Sequence, residues 1–425
     1  MDAGIGMVHQ ELMLIPNMTV AENIGLILNY DLKRPLLDLS DVKKRIRDMA
    51  ERYGLHIDPD SVMEQLSVGE RQRVEILKAL FRGANILIFD EPTSYLTKIE
   101  TKKLFENLRR MADEGKSIIF VTHKIDEVMA ISDRITVLRQ GRVVAVKDRR
   151  DVSKEELARL IVGRDVLFRV QKVQSRISEP LLRLENVSAL SDVGVLGLRD
   201  VSLEVRSGEI LGVAGVAGNG QKELVEVITG LRKVVKGRIY LGGKDITNLP
   251  SDKIRRLGVA HIPEDLRMAL VFNFNLRENI IISPHLAEMF RKGVFVDMER
   301  LKKKLREIID EFGVMVPSED TEVWTLSGGN KQKFILAREL FWNPRVIIAN
   351  NPTKGLDVAA TEHIRNILMR EKAKGKAILM VSTDLDEILD MSDRIAVMNR
   401  GKVMGIFRPD EAEVDKIAYL MTTAT

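Results

Sequence analysis

A fifteen-residue segment occurs twice in this chain, as LSVGERQRVEILKAL from Leu66 to Leu80 and as LSGGNKQKFILAREL from Leu326 to Leu340, 260 residues apart. After each copy, at the same distance, comes a run of apolar residues ending in a short polar motif: NILIFDEPT through Thr93 and RVIIANNPT through Thr353. VTHKIDEV from Val121 and VSTDLDEI from Val381 keep the register, as do SDRITVLRQGRVV from Ser132 and SDRIAVMNRGKVM from Ser392. A repeat of this length marks one domain duplicated in tandem, so whatever fold the chain adopts must be built twice. The 425 residues suit this, because a single hydrophobic core rarely organises more than about 250–300 residues.

Strand-length apolar runs alternate with amphipathic helical patterns, as in the helix expected from Lys98 to Glu114 followed by SIIFVTH. This is the rhythm of an α/β domain with a parallel sheet. The stretch GRDVLFRVQKVQSRISEP loses periodicity, and LLRLENVSA then makes a fresh β-rich start. The expected division is therefore a first domain over 1–162, a linker over 163–180 and a second domain over 181–425.

The two copies agree in framework and differ where chemistry would sit. Asp90 and Glu91 become Asn350 and Asn351, and His123 becomes Thr383. ILIFDEPT reads as a buried strand that delivers Asp90 and Glu91 to the C-terminal edge of the sheet, where open α/β sheets place their ligands. There Asp90 suits a Mg²⁺ ion, and Glu91 suits a water attacking a phosphate bond. An isolated acidic pair would more often be a solvated turn; the four apolar residues before it and Pro92 after it argue otherwise. His123 closes the next strand and is expected near Glu91. Gln10, in GIGMVHQELMLIP, is a neutral candidate for binding both Mg²⁺ and water, and Pro263 stands at about its place in the second copy.

In the second copy EILGVAG leads into a glycine-rich loop with Gly215, Gly218, Asn219 and Gly220, followed by a helix. Inward-turned amides and a helix N-terminus make an anion cradle. The residues that should be Lys and then Ser or Thr are Gln221 and Lys222, with Glu223 next, so the cradle lacks its catalytic side chains. Alone, such a loop reads as readily as a plain strand-to-helix turn. Ser327 with Gly328 and Gly329, and Ser67 with Gly69, each precede a helix and offer a second kind of anion-binding N-terminus; a simple helix cap explains the same residues equally well.

Together these residues resemble ATP-binding cassette proteins: LSGGNKQK is similar to the signature motif, ILIFDEPT to the Walker B strand and THK to the switch histidine. More narrowly, LSVGERQRVEILKALFRGA, GVAGNGQKELVEVITG, IPED and NNPTKGLDVAA resemble the fused double-cassette ATPases of simple-sugar and nucleoside importers. The resemblance implies two tandem P-loop NTPase domains of the α/β class with mixed or parallel sheets and helical subdomains. It also implies ATP and Mg²⁺ as cofactors, two membrane permease subunits and an extracytoplasmic substrate-binding protein as partners, and a place on the cytoplasmic face of the plasma membrane.

In that family each ATP lies between one cassette's phosphate loop and the other's signature, so the resemblance implies unequal sites. One would combine Gln10, Asp90, Glu91 and His123 with Ser327, Gly329 and Asp357 and hydrolyse ATP. The other would combine the loop from Gly215 to Glu223, Asn350, Asn351 and Thr383 with Ser67 and Gly69, and at most hold nucleotide. The chain departs from the family pattern in one respect. The first cassette's own phosphate loop, counted back by the repeat offset, would fall upstream of Met1, so the chain by itself is expected to hydrolyse ATP poorly.

Composition leaves nucleic-acid binding unsupported without excluding it, and narrows the other classes. The net charge of +4 among 30% charged residues gives no basic field for nucleic acid. With no cysteine there is neither a disulfide framework nor a thiolate metal site. No signal-peptide pattern opens the chain, and no apolar run approaches the roughly 20 residues of a membrane span, so a cytoplasmic protein is expected. The competing class, soluble double-cassette ATPases that act on ribosomes, usually has two intact sites and a long charged linker, which this sequence does not match.

Overall fold

The computed structural model describes residues 4–9, 12–26, 39–93, 96, 98–139, 141–162, 175–216, 218–410 and 414–422. It divides into two compact units, Met1–Asp165 and Val166–Thr425. Most of the expected linker, 163–174, lies outside the described residues. Among the described residues no helix is long and apolar enough to cross a membrane.

Unit 1 runs β1 (Ile5–Val8), α1 (Val20–Gly25), α2 (Leu39–Tyr53), α3 (Val68–Phe81), β2 (Ile86–Asp90), α4 (Lys98–Asp113), β3 (Ser117–Val121), α5 (Ile125–Ile131), β4 (Arg134–Arg139), β5 (Arg142–Asp148) and α6 (Lys154–Val162). Strands β1, β2 and β3 form a parallel sheet in that order, with Ile5 opposite Ile86 and Asp90 opposite Val121, while β4 and β5 pair as a separate antiparallel hairpin. The sheet's helix-facing side is a packed core: Leu87 and Phe89 are fully buried among Val74, Leu77, Leu108 and Met111. Burying each such side chain favours folding by about 1.5–3 kcal/mol. Helix α1 is fixed at its start by a capping box, in which Thr19 Oγ1 accepts from Glu22 N and Glu22 Oε2 accepts from Thr19 N.

Unit 2 begins with β6 (Pro180–Leu190), β7 (Leu196–Arg206), β8 (Ile210–Ala214), α7 (Gln221–Thr229), β9 (Val234–Leu241), β10 (Lys244–Asp245), α8 (Ser251–Arg256) and β11 (Val259–Ile262). A helical stretch follows: α9 (Leu266–Ala269), α10 (Leu276–Ile281), α11 (Pro284–Met289), the small hairpin β12 (Arg291–Lys292) and β13 (Phe295–Val296), α12 (Met298–Glu311) and α13 (Gly328–Leu340). The unit closes with β14 (Val346–Asn350), α14 (Val358–Ala373), β15 (Ala377–Ser382), α15 (Leu385–Met391), β16 (Arg394–Asn399), β17 (Lys402–Phe407) and α16 (Val414–Thr422). Six strands form one sheet in the order β11-β14-β15-β8-β16-β17, and β10-β9-β6-β7 form a second, antiparallel one. The six-stranded sheet is packed on both faces. Ile347, Ile378 and Met380 face the helices, and Val346, Ile348, Leu379 and Val381 pack with Leu182, Val187 and Leu203 of the antiparallel sheet.

Superposing the two orders shows what β8 does. In unit 2 it lies between β15 and β16 and joins them into one sheet. Among the described residues of unit 1 no strand takes that place, so β3 ends its sheet and the hairpin of β4 and β5 stands apart. On the face that the antiparallel sheet covers in unit 2, Ile119 and Val121 are 51% and 46% exposed, against 0% and 2% for the matching Leu379 and Val381.

The same superposition sets a histidine in unit 2 against a methionine in unit 1. His261, in β11, matches Met7 in β1 by strand register. Its Nε2 is buried without a hydrogen-bond partner, and its pKa is pushed down from 6.5 to about 4, chiefly by burial, with Glu339 opposing and Arg255 adding to the depression. The unfolded chain takes up this proton near 6.5 and the folded chain only near 4. The contribution is therefore fully present above 6.5 and is lost as the pH falls towards 4, by at most about 3 kcal/mol. Thermal unfolding at pH 7.5 and pH 5 is expected to show this acid loss in the native chain and a smaller one in His261→Met.

Candidate active site

In unit 1 the ends of β2 and β3, parallel neighbours, bring the candidate side chains together. His123 Nδ1 lies 2.9 Å from Glu91 Oε1, and both side chains are about one-quarter exposed. Glu91 sits in a turn with φ of 44°, a left-handed conformation unusual outside glycine, and its amide is held by Val121 O at 2.9 Å. The turn is braced from below. Thr93 Oγ1 donates to Glu127 at 2.7 Å, Thr122 Oγ1 donates to the same carboxylate at 3.0 Å, and Gln72 Nε2 donates to Pro92 O at 2.5 Å. Asp90 is the last residue of β2. Gln10 lies outside the described residues.

Unit 2 builds the same turn from other groups. Asn351 has φ of 47°, its amide donates to Val381 O at 2.7 Å, and Thr353 with Ser382 holds Glu387 as Thr93 with Thr122 holds Glu127. Asparagine tolerates this backbone better than glutamate. Asn351 Oδ1 accepts from Thr383 N at 2.9 Å and from Thr383 Oγ1 at 3.3 Å, while Nδ2 donates to Glu264 Oε2 at 3.0 Å and Asn350 Oδ1 at 3.3 Å. Every hydrogen-bonding position of this amide is used, and an amide takes no proton from water. Glu264 is the residue that sequence reasoning missed. Val259 pairs with Val346 as Ile5 pairs with Ile86, so counting on from the strands matches position 10 to Glu264 and corrects the assignment to Pro263. The signal lay in the glycines that precede the strands, Gly4 and Gly258.

The glycine-rich loop joins the fully buried β8 to α7; Ala217 within it lies outside the described residues. Gly220 has φ of 101°, and a Cβ there would meet Gly197 O at 2.7 Å, so only glycine fits this end of the cradle. A Cβ at Gly218 would meet nothing within 4 Å, which leaves the mouth of the loop open to a phosphate. Asn219 pins the loop by accepting from Arg400 N at 3.0 Å and donating to Met421 O at 3.1 Å. Gln221 is buried and turns back to donate to Val216 O at 3.2 Å. Lys222 is turned away from the loop: its Nζ pairs with Asp192 Oδ2 at 2.6 Å. Lys222 and Arg232 together draw the Asp192 pKa down to about 2. The loop therefore offers backbone amides and a helix N-terminus to an anion but no side-chain cation.

The two repeated helices differ at their first turns. Ser327 N-caps α13, accepting from Asn330 N at 3.3 Å. Ser67 N-caps α3 in a capping box, in which it accepts from Glu70 N at 3.3 Å and donates its hydroxyl to Glu70 Oε2 at 2.7 Å. Both serines are thus caps as well as candidate phosphate ligands, and the Glu70 carboxylate at the head of α3 makes that end the poorer anion site. A Cβ at Gly328 would meet nothing within 4 Å, one at Gly329 would press on Ala360 Cβ at 3.1 Å, and one at Gly69 would meet Glu100 Oε1 at 2.8 Å. Asp357 N-caps α14, accepting from Ala360 N at 2.7 Å.

A strand-and-glycine-loop cradle, a second strand ending in paired polar residues and a serine-capped helix together define a nucleotide-binding cassette. The sequence profile of the ABC transporter family matches residues 1–94 and 198–354, and the chain belongs to that family. It is 45% identical to the nucleoside import ATP-binding protein NupA of Lactococcus lactis subsp. cremoris, over 98% of this chain and 83% of that protein. It is 43% identical to the guanosine import ATP-binding protein NupO of Bacillus subtilis, over 100% and 83%, and 42% identical to the glucose import ATP-binding protein TsgD13 of Haloferax volcanii, over 99% and 82%. Among solved structures, a nucleotide-free ATP-binding cassette from an ABC transporter matches 58% of this chain and 100% of its own, at 26% identity and a TM-score of 0.50.

Proposed function

We propose that this chain is the ATP-hydrolysing subunit of an importer for nucleosides or simple sugars, with unit 1 carrying the hydrolytic groups and unit 2 holding nucleotide without hydrolysing it. The observation that carries the reading is the contrast at the matched strand ends: a carboxylate against an imidazole at 2.9 Å in unit 1, a saturated amide in unit 2. In unit 1 Glu91 accepts the proton of the attacking water. His123, oriented through Nδ1, turns its other nitrogen to the terminal phosphate. Asp90, with Gln10, would hold Mg²⁺. Mg²⁺ is commonly held by one or two carboxylates, water and phosphate oxygens, a set to which Asp90 would contribute. Bound there, the cation would supply neutralisation of phosphate charge.

In this reading the phosphates meet the Gly215, Gly218 and Gly220 loop in unit 2, and Ser327 and Ser67 are the signature serines. Two permease subunits carry the substrate across the membrane, an external binding protein delivers it, and the chain works peripherally on the cytoplasmic face. The similarity to NupA and NupO favours nucleosides, and that to TsgD13 keeps sugars within the class. Fractionation of native cells tests the assignment. The chain is expected to sediment with membranes and to be released by alkaline carbonate; sedimentation with ribosomes would overturn it in favour of the translation-associated class.

A further inference from the structure

The strand edge of unit 2 is tied by a carboxylate, and the groups that meet there are charged in a pattern unit 1 lacks. Glu264 follows β11 by two residues, and its two oxygens are committed to different partners: Oε2 accepts from Asn351 Nδ2 at 3.0 Å, and Oε1 accepts from Lys354 Nζ at 2.6 Å. Asn351 follows β14 directly and Lys354 lies three residues on, so one carboxylate ties the loop after β11 to the turn after β14. In sequence the matching residues of unit 1 are Gln10 and Ser94. Both members of the ion pair are therefore particular to unit 2, as are the amides at 350 and 351. Counted over these positions, unit 1 carries two carboxylates and no cation, whereas unit 2 carries one carboxylate and one ammonium and is neutral.

Mg²⁺ does not fit this donor set. It asks for hard anionic oxygens in near-octahedral array; here two carboxylates have become amides, and the Asn350 oxygen is taken up by Asn351. The remaining carboxylate already has an ammonium 2.6 Å away, where a divalent cation would be repelled. We propose that Glu264 is a positioning residue that stands in for a divalent cation, so that unit 2 keeps its strand edge assembled, and holds nucleotide phosphate, without Mg²⁺. The nucleotide half of this inference rests on the reading of unit 2 as a binding site; the bridging half does not.

The experiment is amide hydrogen exchange on the full chain, followed by mass spectrometry over peptides covering 263–268 and 351–357, in millimolar Mg²⁺ and in excess EDTA. Native protection is expected to be the same in both buffers, and Glu264→Ala is expected to speed exchange in these peptides about tenfold in both, with peptides of β8 and β15 unchanged. Faster exchange of the native chain in EDTA would show that a cation holds the edge. An unchanged Glu264→Ala would show that Glu264 does not. Binding of a fluorescent ATP analogue in the same buffers completes the test. Equal affinity in both supports cation-free binding, and a tenfold loss in EDTA overturns it. No binding in either buffer rejects the nucleotide reading of unit 2 and with it cation-free binding, while the exchange result still decides the bridge.

Discussion

Glu91→Gln is expected to lower ATP turnover about a thousandfold, and Asn351→Gln to leave it within about twofold, in a protein that carries this chain behind a glycine-rich phosphate loop complete with its Lys. Removing a positioned general base costs about 10²–10⁴ in rate. Here the glutamine keeps the shape of the side chain but accepts no proton. It also offers His123 a neutral partner at a contact now 2.9 Å long, so the imidazole loses orientation as well. On the proposed reading Asn351 has no such role: its oxygen serves Thr383 and its nitrogen serves Glu264 and Asn350. Steady-state phosphate release from the two variants, with nucleotide affinity measured alongside, decides the matter. Equal losses would sink the asymmetry, and retained affinity in Glu91→Gln would separate lost chemistry from lost binding.

The largest expected effect on stability lies elsewhere, at a position where the first copy carries no carboxylate. Glu339 is fully buried, and Arg338 (6% exposed) and Arg255 both reach it at 2.9 Å. Burial resists ionisation of this carboxyl, and the two guanidinium groups outweigh it, holding the pKa below the usual range. Glu339→Ala should destabilise unit 2 by about 3–5 kcal/mol, because cutting one partner from a buried ion network leaves uncompensated charge behind. Arg338 would keep its bond to Ala269 O at 2.6 Å and so could not swing out to water. The matching residue in unit 1 is Ala79, itself buried among apolar side chains, which shows that the frame does not need an ion there. Urea unfolding followed separately for the two units is the measurement; a loss under about 1 kcal/mol would mean that the arginines find other partners.

How far the sequence could be read depended on whether a feature was written in one segment or in two. The strand through Ile86 to Asp90 and its neighbour through Ser117 to Val121 announce themselves by unbroken apolar runs. Once they are parallel neighbours, the meeting of Glu91 and His123 follows from both residues lying just beyond the strand ends. The repeat offset of 260 residues holds from Leu66 onward. Ahead of that point the copies differ in loop length, and the irregular stretch after β1 has no periodicity to correct the count, so Glu264 passed unnoticed behind Pro263. Gln221 and Lys222 illustrate the other limit. Their identities are plain in the sequence, but Lys222 turns outward because Asp192 awaits it from a different part of the chain, and no local pattern announces such a partner. The shared capping boxes at Thr19 and Asn275, by contrast, are local and legible.

Unit 1 also presents β3 with its outer backbone edge unpaired among the described residues and with Ile119 and Val121 turned outward. The hairpin adds Leu138, Val143 and Val146, all more than half exposed. An open, apolar strand edge is a template for another strand, and the chain carries no proline or charge within β3 to discourage one. Two molecules meeting along that edge would satisfy the idle amides and carbonyls of both and dry their isoleucines in one step. A lysine placed at Ile119 would set a charge on this strand, where the described β3 carries none.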